Sequence, residues 1–188
     1  MADPEHAPWL RVIDESGEES LRCGHLEVVL ASEAHPPFPV AARIVEEDTW
    51  LILSASVTVR ESPGHPPRLL TELQETLPAL LGSVVVREKN SLQLLAVIHD
   101  LDRHPSCSPE SISRALSAAC REAAARGLTS IALPLLGNGH SIFSPVESAA
   151  VLATALAAAP HGGLRRIWLV VPEAVRQEVL AVLLAATG

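Results

Sequence analysis

The sequence feature that most constrains this chain is the run SIALPLLGNGHSIFSP at residues 130–145. It predicts a buried strand, a glycine-rich loop and then a capped helix that begins at Ser144. Gly137 and Gly139 flank Asn138, and all three residue types adopt positive φ at low cost, so their backbone N–H groups can converge on an anion. Ligands of α/β folds usually bind at this end of a parallel strand. The run therefore predicts an anion-binding loop, the alternative being a tight turn without a ligand.

Composition limits the partners and the compartment. The 188 residues carry a formal charge of −8, which argues against a nucleic-acid backbone or an anionic membrane as the main partner. No apolar stretch approaches the roughly 20 residues that span a bilayer, and the first residues lack the features of a signal peptide. Three cysteines at unmatched spacings predict no disulfide framework. We therefore predict a cytoplasmic protein.

Short apolar runs alternate with helical patterns along most of the chain. Strands are predicted at residues 26–30, 43–46, 50–56, 84–86, 94–99, 131–133 and 167–171, and helices at residues 68–80, 109–126, 145–159 and 172–185. This alternation predicts an α/β fold, a three-layer α/β/α sandwich around a central mixed, largely parallel sheet. Residues 1–24 are polar and acidic and are predicted to be an N-terminal extension or an edge element, while residues 25–188 form a single domain.

The order of motifs in the C-terminal half resembles that of macrodomains, the α/β modules that bind ADP-ribose. The family pattern has a strand ending in Val-Ile-His, a long helix, a Ser-Ile-Ala-x-Pro strand, a Leu-Gly-x-Gly phosphate loop and an alanine-rich helix. The matching segments here are Val97-Ile98-His99, residues 109–126, Ser130-Ile131-Ala132-Leu133-Pro134, Leu136-Gly137-Asn138-Gly139 and Ser148-Ala149-Ala150. The resemblance implies a macrodomain-like fold that binds ADP-ribose or a related nucleotide diphosphate.

The N-terminal half departs from the family pattern. The family's Gly-Asp-Ile, whose aspartate holds the adenine amine, reads Ala31-Ser32-Glu33 here. The family's Asn-Ala-Ala-Asn contacts the distal ribose and helps to position water in hydrolytic members; we place it at Ser54-Ala55-Ser56-Val57. The first glycine-rich phosphate loop is replaced by residues 62–67. These departures predict a binding module that does not hydrolyse its ligand.

The predicted ligand-binding residues form two groups. Those of the phosphate loop are Gly137, Asn138, Gly139, His140, Ser141 and Phe143. Those of the N-terminal half, which stand in for the missing family residues, are Glu33, Ser54 and Ser56. Phe143 either offers an apolar face to a sugar or base, or packs in the core beneath the following helix. No cofactor is predicted.

A metal site and a nucleophile are predicted to be absent. The loop after the Val-Ile-His strand carries several side chains of the types that bind zinc, namely His99, Asp100, Asp102, His104 and Cys107. Their spacing matches no standard template, so we predict that His99, His104 and Cys107 do not converge and that no metal is bound. The chain lacks a Gly-x-Ser-x-Gly elbow, and His140 and Ser141 are only sequence neighbours, so no catalytic residue is assigned.

Three functions therefore stay open. The first is a binding module for ADP-ribose or a similar nucleotide diphosphate. The second is a degenerate macro-like fold without a ligand, which would act through a protein partner or a second copy of itself. The third is an ADP-ribosyl hydrolase, which a serine at the family's catalytic asparagine position disfavours.

Overall fold

A computed structural model describes residues 9–13, 19–54, 77–88, 90–140 and 142–186. The described residues contain one sheet of eight strands in the order β1-β2-β3-β8-β7-β4-β6-β5. The strands are β1 (Trp9–Ile13), β2 (Glu19–Cys23), β3 (Leu26–Ala31), β4 (Ala42–Asp48), β5 (Val84–Glu88), β6 (Leu92–His99), β7 (Ser130–Pro134) and β8 (Arg166–Val170). The helices are α1 (Pro109–Ala125), α2 (Pro145–Ala158) and α3 (Arg176–Ala185), the last preceded by a short 3₁₀ helix, Glu173–Val175.

The five strands β3, β8, β7, β4 and β6 pair in parallel. The sheet is completed by antiparallel strands on both sides, β1 and β2 beside β3 and β5 beside β6. The prediction of an α/β fold with a mixed, mostly parallel sheet is confirmed. Because the five central strands run in one direction, their last residues all lie at one side of the molecule, which we call the C-terminal edge of the sheet.

Local sequence signals set the helix starts. At α1, the Ser108 hydroxyl accepts a hydrogen bond from the Ser111 backbone N–H at 3.1 Å. The Ser111 hydroxyl in turn accepts one from the Ser108 backbone N–H, also at 3.1 Å. Ser144 and Glu147 form the same reciprocal cap at α2, and hydrogen bonds from Ser144 lower the pKa of the Glu147 carboxyl. Both helices then begin with proline, as the sequence predicts.

The described helices pack side by side on one face of the sheet, α2 lying between α1 and α3. On the other face, Phe38 from the loop after β3 packs against Val29, Ala132 and Trp168. The helix predicted at residues 68–80 lies mostly outside the described residues. Residues 77–80 are described and are not helical, so the prediction is wrong for these four residues. None of the helices in the described part of the chain has the length and apolar character to cross a bilayer.

Strands β1 and β2 form one side of the sheet, within the region predicted as an extension or an edge element. Trp9, Leu21 and Cys23 are buried in the same core as the central strands. The indole N–H of Trp9 also donates to the carbonyl of Ala153 in α2, at 3.3 Å. The predicted domain boundary at residues 24–25 stays a prediction.

The predicted strand at residues 50–56 is wrong for residues 50–54, which form a turn; residues 55 and 56 lie outside the described residues. The Asp48 carboxylate accepts the backbone N–H groups of Trp50 (2.6 Å), Ile52 and Leu53 (both 2.9 Å). Leu51 has φ of +59°. Backbone N–H groups that donate to a side chain are not free to pair with a neighbouring strand. The central strand is therefore formed by the preceding segment, β4.

Candidate functional site

The glycine loop, residues 135–143, joins β7 to α2. The Phe143 N–H donates to the Gly137 carbonyl at 3.0 Å, and the Asn138 side-chain amide donates to the Phe143 carbonyl at 2.9 Å. Gly137 has φ of +84°, and a Cβ there would lie only 2.5 Å from Cδ2 of Phe143. The Phe143 ring therefore packs against Gly137 and the hydrophobic core, and this close contact requires glycine at position 137.

The amides of the glycine loop converge on a carboxylate of the protein itself. The Gly137 N–H donates to Glu46 Oε1 at 2.8 Å, and the Gly139 N–H approaches the same oxygen at 3.4 Å. Glu46 lies near the end of β4, and its side chain is only 9% exposed. In this structure the backbone amides of the glycine loop therefore bind the Glu46 carboxylate.

Two histidines adjoin the Glu46 carboxylate. The His99 ring, 1% exposed at the end of β6, places Nε2 3.3 Å from Glu46 Oε2 and Nδ1 3.3 Å from the Ser106 hydroxyl. The His140 ring, on the glycine loop, packs edge-on against His99 with ring centres 5.1 Å apart. A carboxylate and two imidazoles therefore meet at the C-terminal edge.

The two acidic residues after Glu46 have a different role. Glu47 accepts the Leu53 N–H at 2.8 Å, and its other oxygen accepts the Ser54 hydroxyl. The Arg87 guanidinium donates to the Ser54 hydroxyl at 2.7 Å and lies 3.9 Å from Glu47. Glu47 is fully buried and, like Asp48, fixes the turn that follows β4. Among these three acidic residues, only Glu46 lines the adjacent cleft.

This cleft has a volume of about 480 Å³, within the range usual for small-molecule sites. Its apolar lining residues are Ile44, Val45, Leu53, Pro134, Leu135, Val170 and Pro172, and its other lining residues are Glu46, Asn138, Gly139 and His140. A larger hollow of about 850 Å³ lies between β5 and α1. The smaller cleft is the candidate ligand site, because it lies at the C-terminal edge and carries the convergent polar groups.

The structure brings together only part of the predicted site. Asn138, Gly139 and His140 line the cleft. Glu33 instead pairs with Arg43 at 2.7 Å, and its side chain is 63% exposed. Ser54 is bound by Glu47 and Arg87, and neither Glu33 nor Ser54 lines the cleft. Ser56 and Ser141 lie outside the described residues.

The group of metal-binding side chains that the sequence suggests is not the one that the fold assembles. Within the described residues, one group of three has ligand atoms within 4.8 Å of one another, and it consists of Glu46, His99 and His140. His104 and Cys107 are not part of it. Cys107 is buried, and burial raises the pKa of its thiol, partly offset by a hydrogen bond with the Ser111 side chain.

Sequence reasoning missed Glu46 because it placed the second central strand too late in the chain. The polar segment after this strand is predicted at residues 54–57, whereas the observed strand β4 already ends in Glu46, Glu47 and Asp48. The sequence did contain a signal for the end of this strand, because the apolar residues Ile44 and Val45 are followed directly by polar side chains. Polar residues at the carboxyl end of a buried strand are typical of α/β ligand sites.

No family model matches this sequence, and no curated protein sequence matches it. Solved structures do match its fold. An Oceanobacillus iheyensis macrodomain with MES bound superimposes with a TM-score of 0.57 at 16% identity, covering 94% of this chain and 97% of that one. The macro domain of ganglioside induced differentiation associated protein 2 superimposes with a TM-score of 0.57 at 12% identity, covering 86% of each chain. The macrodomain of Thermus aquaticus DarG superimposes with a TM-score of 0.51 at 18% identity, covering 77% of this chain and 99% of that one.

Two further structures of the Oceanobacillus iheyensis macrodomain were solved with small molecules. One contains ADP and superimposes with a TM-score of 0.57 at 16% identity. The other is a variant with ADPR and superimposes with a TM-score of 0.56 at 17% identity. At these identities the comparisons establish the fold. The predicted resemblance is confirmed at that level, and the chain has the macrodomain fold.

Proposed function

We propose that this protein is a binding module for ADP-ribose or a related nucleotide diphosphate, which it holds in the cleft at the C-terminal edge without hydrolysing it. The observation that carries the proposal is the convergence of the Gly137 and Gly139 amides on one carboxylate oxygen. A phosphate oxygen can accept hydrogen bonds from these two N–H groups in the same way as a carboxylate oxygen. The diphosphate would therefore take the place of the Glu46 carboxylate at the glycine loop.

The shape and lining of the cleft support a nucleotide. Apolar residues from β4, β7 and β8 and from the loops that follow them make up most of its wall, which suits the body of a nucleoside. The polar lining residues belong to the glycine loop or, in the case of Glu46, are hydrogen-bonded to it, and a diphosphate would bind there. Solved macrodomains with ADP and with ADPR have the same fold.

Glu46 competes with this ligand for the amides of the glycine loop. Its carboxylate occupies the donors and repels a second anion, so the diphosphate must first displace it. At an effective dielectric constant of 20, two unit charges 4 Å apart repel by about 4 kcal/mol, which is enough to weaken binding by orders of magnitude if Glu46 stays in place. We therefore expect weak binding by the parent protein.

A charge inserted at the loop tests the proposal. Gly139→Glu places a new side chain where a Cβ would lie 3.0 Å from Glu46 Oε2, so it fills the approach to the loop and repels phosphate. We expect titration calorimetry with ADP-ribose, in buffer containing EDTA, to show binding by the parent and none by Gly139→Glu.

Gly163→Glu is the matched control. It adds the same charge at a glycine whose Cβ would contact nothing within 4 Å, in the turn before β8 and thus away from the C-terminal edge. This variant should bind like the parent. Equal binding by Gly139→Glu and Gly163→Glu would show that the glycine loop does not hold the ligand.

The second candidate function, an interaction module without a ligand, is favoured by one specific observation. The loop amides that point to a ligand are already bonded to Glu46, so the fold does not need an external anion. Absence of binding to ADP-ribose, ADP and NAD by both the parent and a variant without the Glu46 carboxylate would favour that candidate.

A further inference from the structure

We propose that Glu46, His99 and His140 form a binding site for a divalent transition metal of the zinc type. The metal-facing atoms are one carboxylate oxygen and two imidazole nitrogens, all within 4.8 Å of one another. Zinc sites commonly combine these ligand types, and a site with three protein ligands keeps one position open. The zinc site shares Glu46 with the proposed nucleotide site, and the tests of the proposed function use chelated protein so that the two can be judged separately.

The distances suit a single ion. For metal–ligand bonds of about 2.0–2.1 Å, the edge of a coordination tetrahedron is about 3.4 Å. His99 Nε2 and Glu46 Oε2 lie 3.3 Å apart. His140 is exposed and needs only a small movement of its side chain to complete the third corner.

Two of the three ligands are held in place by further hydrogen bonds. Glu46 Oε1 accepts from the Gly137 N–H at 2.8 Å, which leaves Oε2 directed at His99. The Ser106 hydroxyl lies 3.3 Å from Nδ1 of His99 and fixes the orientation of its ring. Metal-binding carboxylates and imidazoles usually have such outer partners, which orient them before the ion arrives.

The surrounding charge also favours a cation. Glu46 is followed by the buried carboxylates of Glu47 and Asp48, and within the described residues Arg87 is the cation recorded in an ion pair with Glu47. Both Glu46 and His140 line the cleft. The open coordination position would therefore face the cleft, where a small anion or a water molecule could complete the coordination shell.

Zinc binding tests the proposal directly. The full chain is stripped with EDTA, desalted and titrated with ZnCl₂ in a calorimeter, and bound zinc is counted by elemental analysis after gel filtration. We expect one zinc per chain in the parent. His140→Ala removes an exposed ligand without disturbing the core, and it should weaken zinc binding at least about tenfold, as should Glu46→Gln.

His104→Ala is the control, because this exposed histidine lies on the neighbouring loop outside the cluster. It should retain one zinc with the affinity of the parent. A parent without stoichiometric zinc would overturn the proposal, as would parental affinity in His140→Ala, or a loss in His104→Ala as large as that in His140→Ala.

Discussion

Glu46→Ala is expected to bind ADP-ribose at least about tenfold more tightly than the parent in EDTA-containing buffer, since about 1.4 kcal/mol of relieved competition corresponds to that factor. The substitution removes the carboxylate that accepts the Gly137 and Gly139 amides. It also removes a negative charge from the place that the diphosphate would occupy. Titration calorimetry on the two proteins measures the difference.

Two further variants separate the causes. Glu46→Gln keeps a hydrogen-bond acceptor at the loop but removes the charge, so its affinity should lie between those of the parent and Glu46→Ala. Glu88→Ala removes a 68% exposed carboxylate that pairs with Arg126 at the opposite edge of the sheet, and its affinity should match the parent. Weaker binding by Glu46→Ala would mean that Glu46 contacts the ligand favourably and does not compete with it.

Gly137→Ala is expected to destabilise the protein by about 2–5 kcal/mol. Positive φ costs a residue with a Cβ about 1–2 kcal/mol, and forcing a methyl group into a packed site costs about 1–3 kcal/mol more. The new Cβ would lie 2.5 Å from Phe143 Cδ2 and 3.1 Å from Ile112 Cδ1. Urea unfolding followed by tryptophan fluorescence measures the loss.

Gly127→Ala serves as the matched control. Gly127 also has positive φ, +66°, but a Cβ there would contact nothing within 4 Å. This variant should lose only the conformational part, about 1–2 kcal/mol. Equal losses in both variants would show that Phe143 does not press on Gly137 and that the loop has room for a methyl group.

Much of the fold follows from local patterns. Short apolar runs predict the strands β6, β7 and β8, and the caps at Ser108 and Ser144 predict the starts of α1 and α2. These signals lie within a few residues of the elements they specify. The glycine loop is predictable for the same reason, because its turn is encoded by its own residues.

The errors come from contacts that the local pattern does not encode. Residues 50–54 have the apolar composition of a buried strand, yet the carboxylates of Glu47 and Asp48 hold their amides in a turn. A pair of acidic residues gives no sign, in the sequence, of which amides it will bind. The register shift between Glu47 and Asp48 lies within the same strand end.

The site shows the same limit. Gly137 and Glu46 are 91 residues apart in sequence, and His99 comes from a third segment, so no local pattern predicts that they meet. Placing the second central strand too late assigns the family's tetrapeptide to Ser54 and Ser56 and overlooks Glu46. Once β4 is placed beside β7, the acidic residue falls opposite the glycine loop.

The most direct test of the central claim is to follow the backbone amides of Gly137 and Gly139 by ¹H–¹⁵N NMR during titration of the EDTA-treated protein with ADP-ribose. As the diphosphate replaces the Glu46 carboxylate, these two amide signals are expected to show the largest shifts in the spectrum, while that of Gly163 stays in place. Unchanged signals from Gly137 and Gly139 at ligand concentrations that saturate the calorimetric binding curve would contradict the assignment of the glycine loop as the diphosphate site.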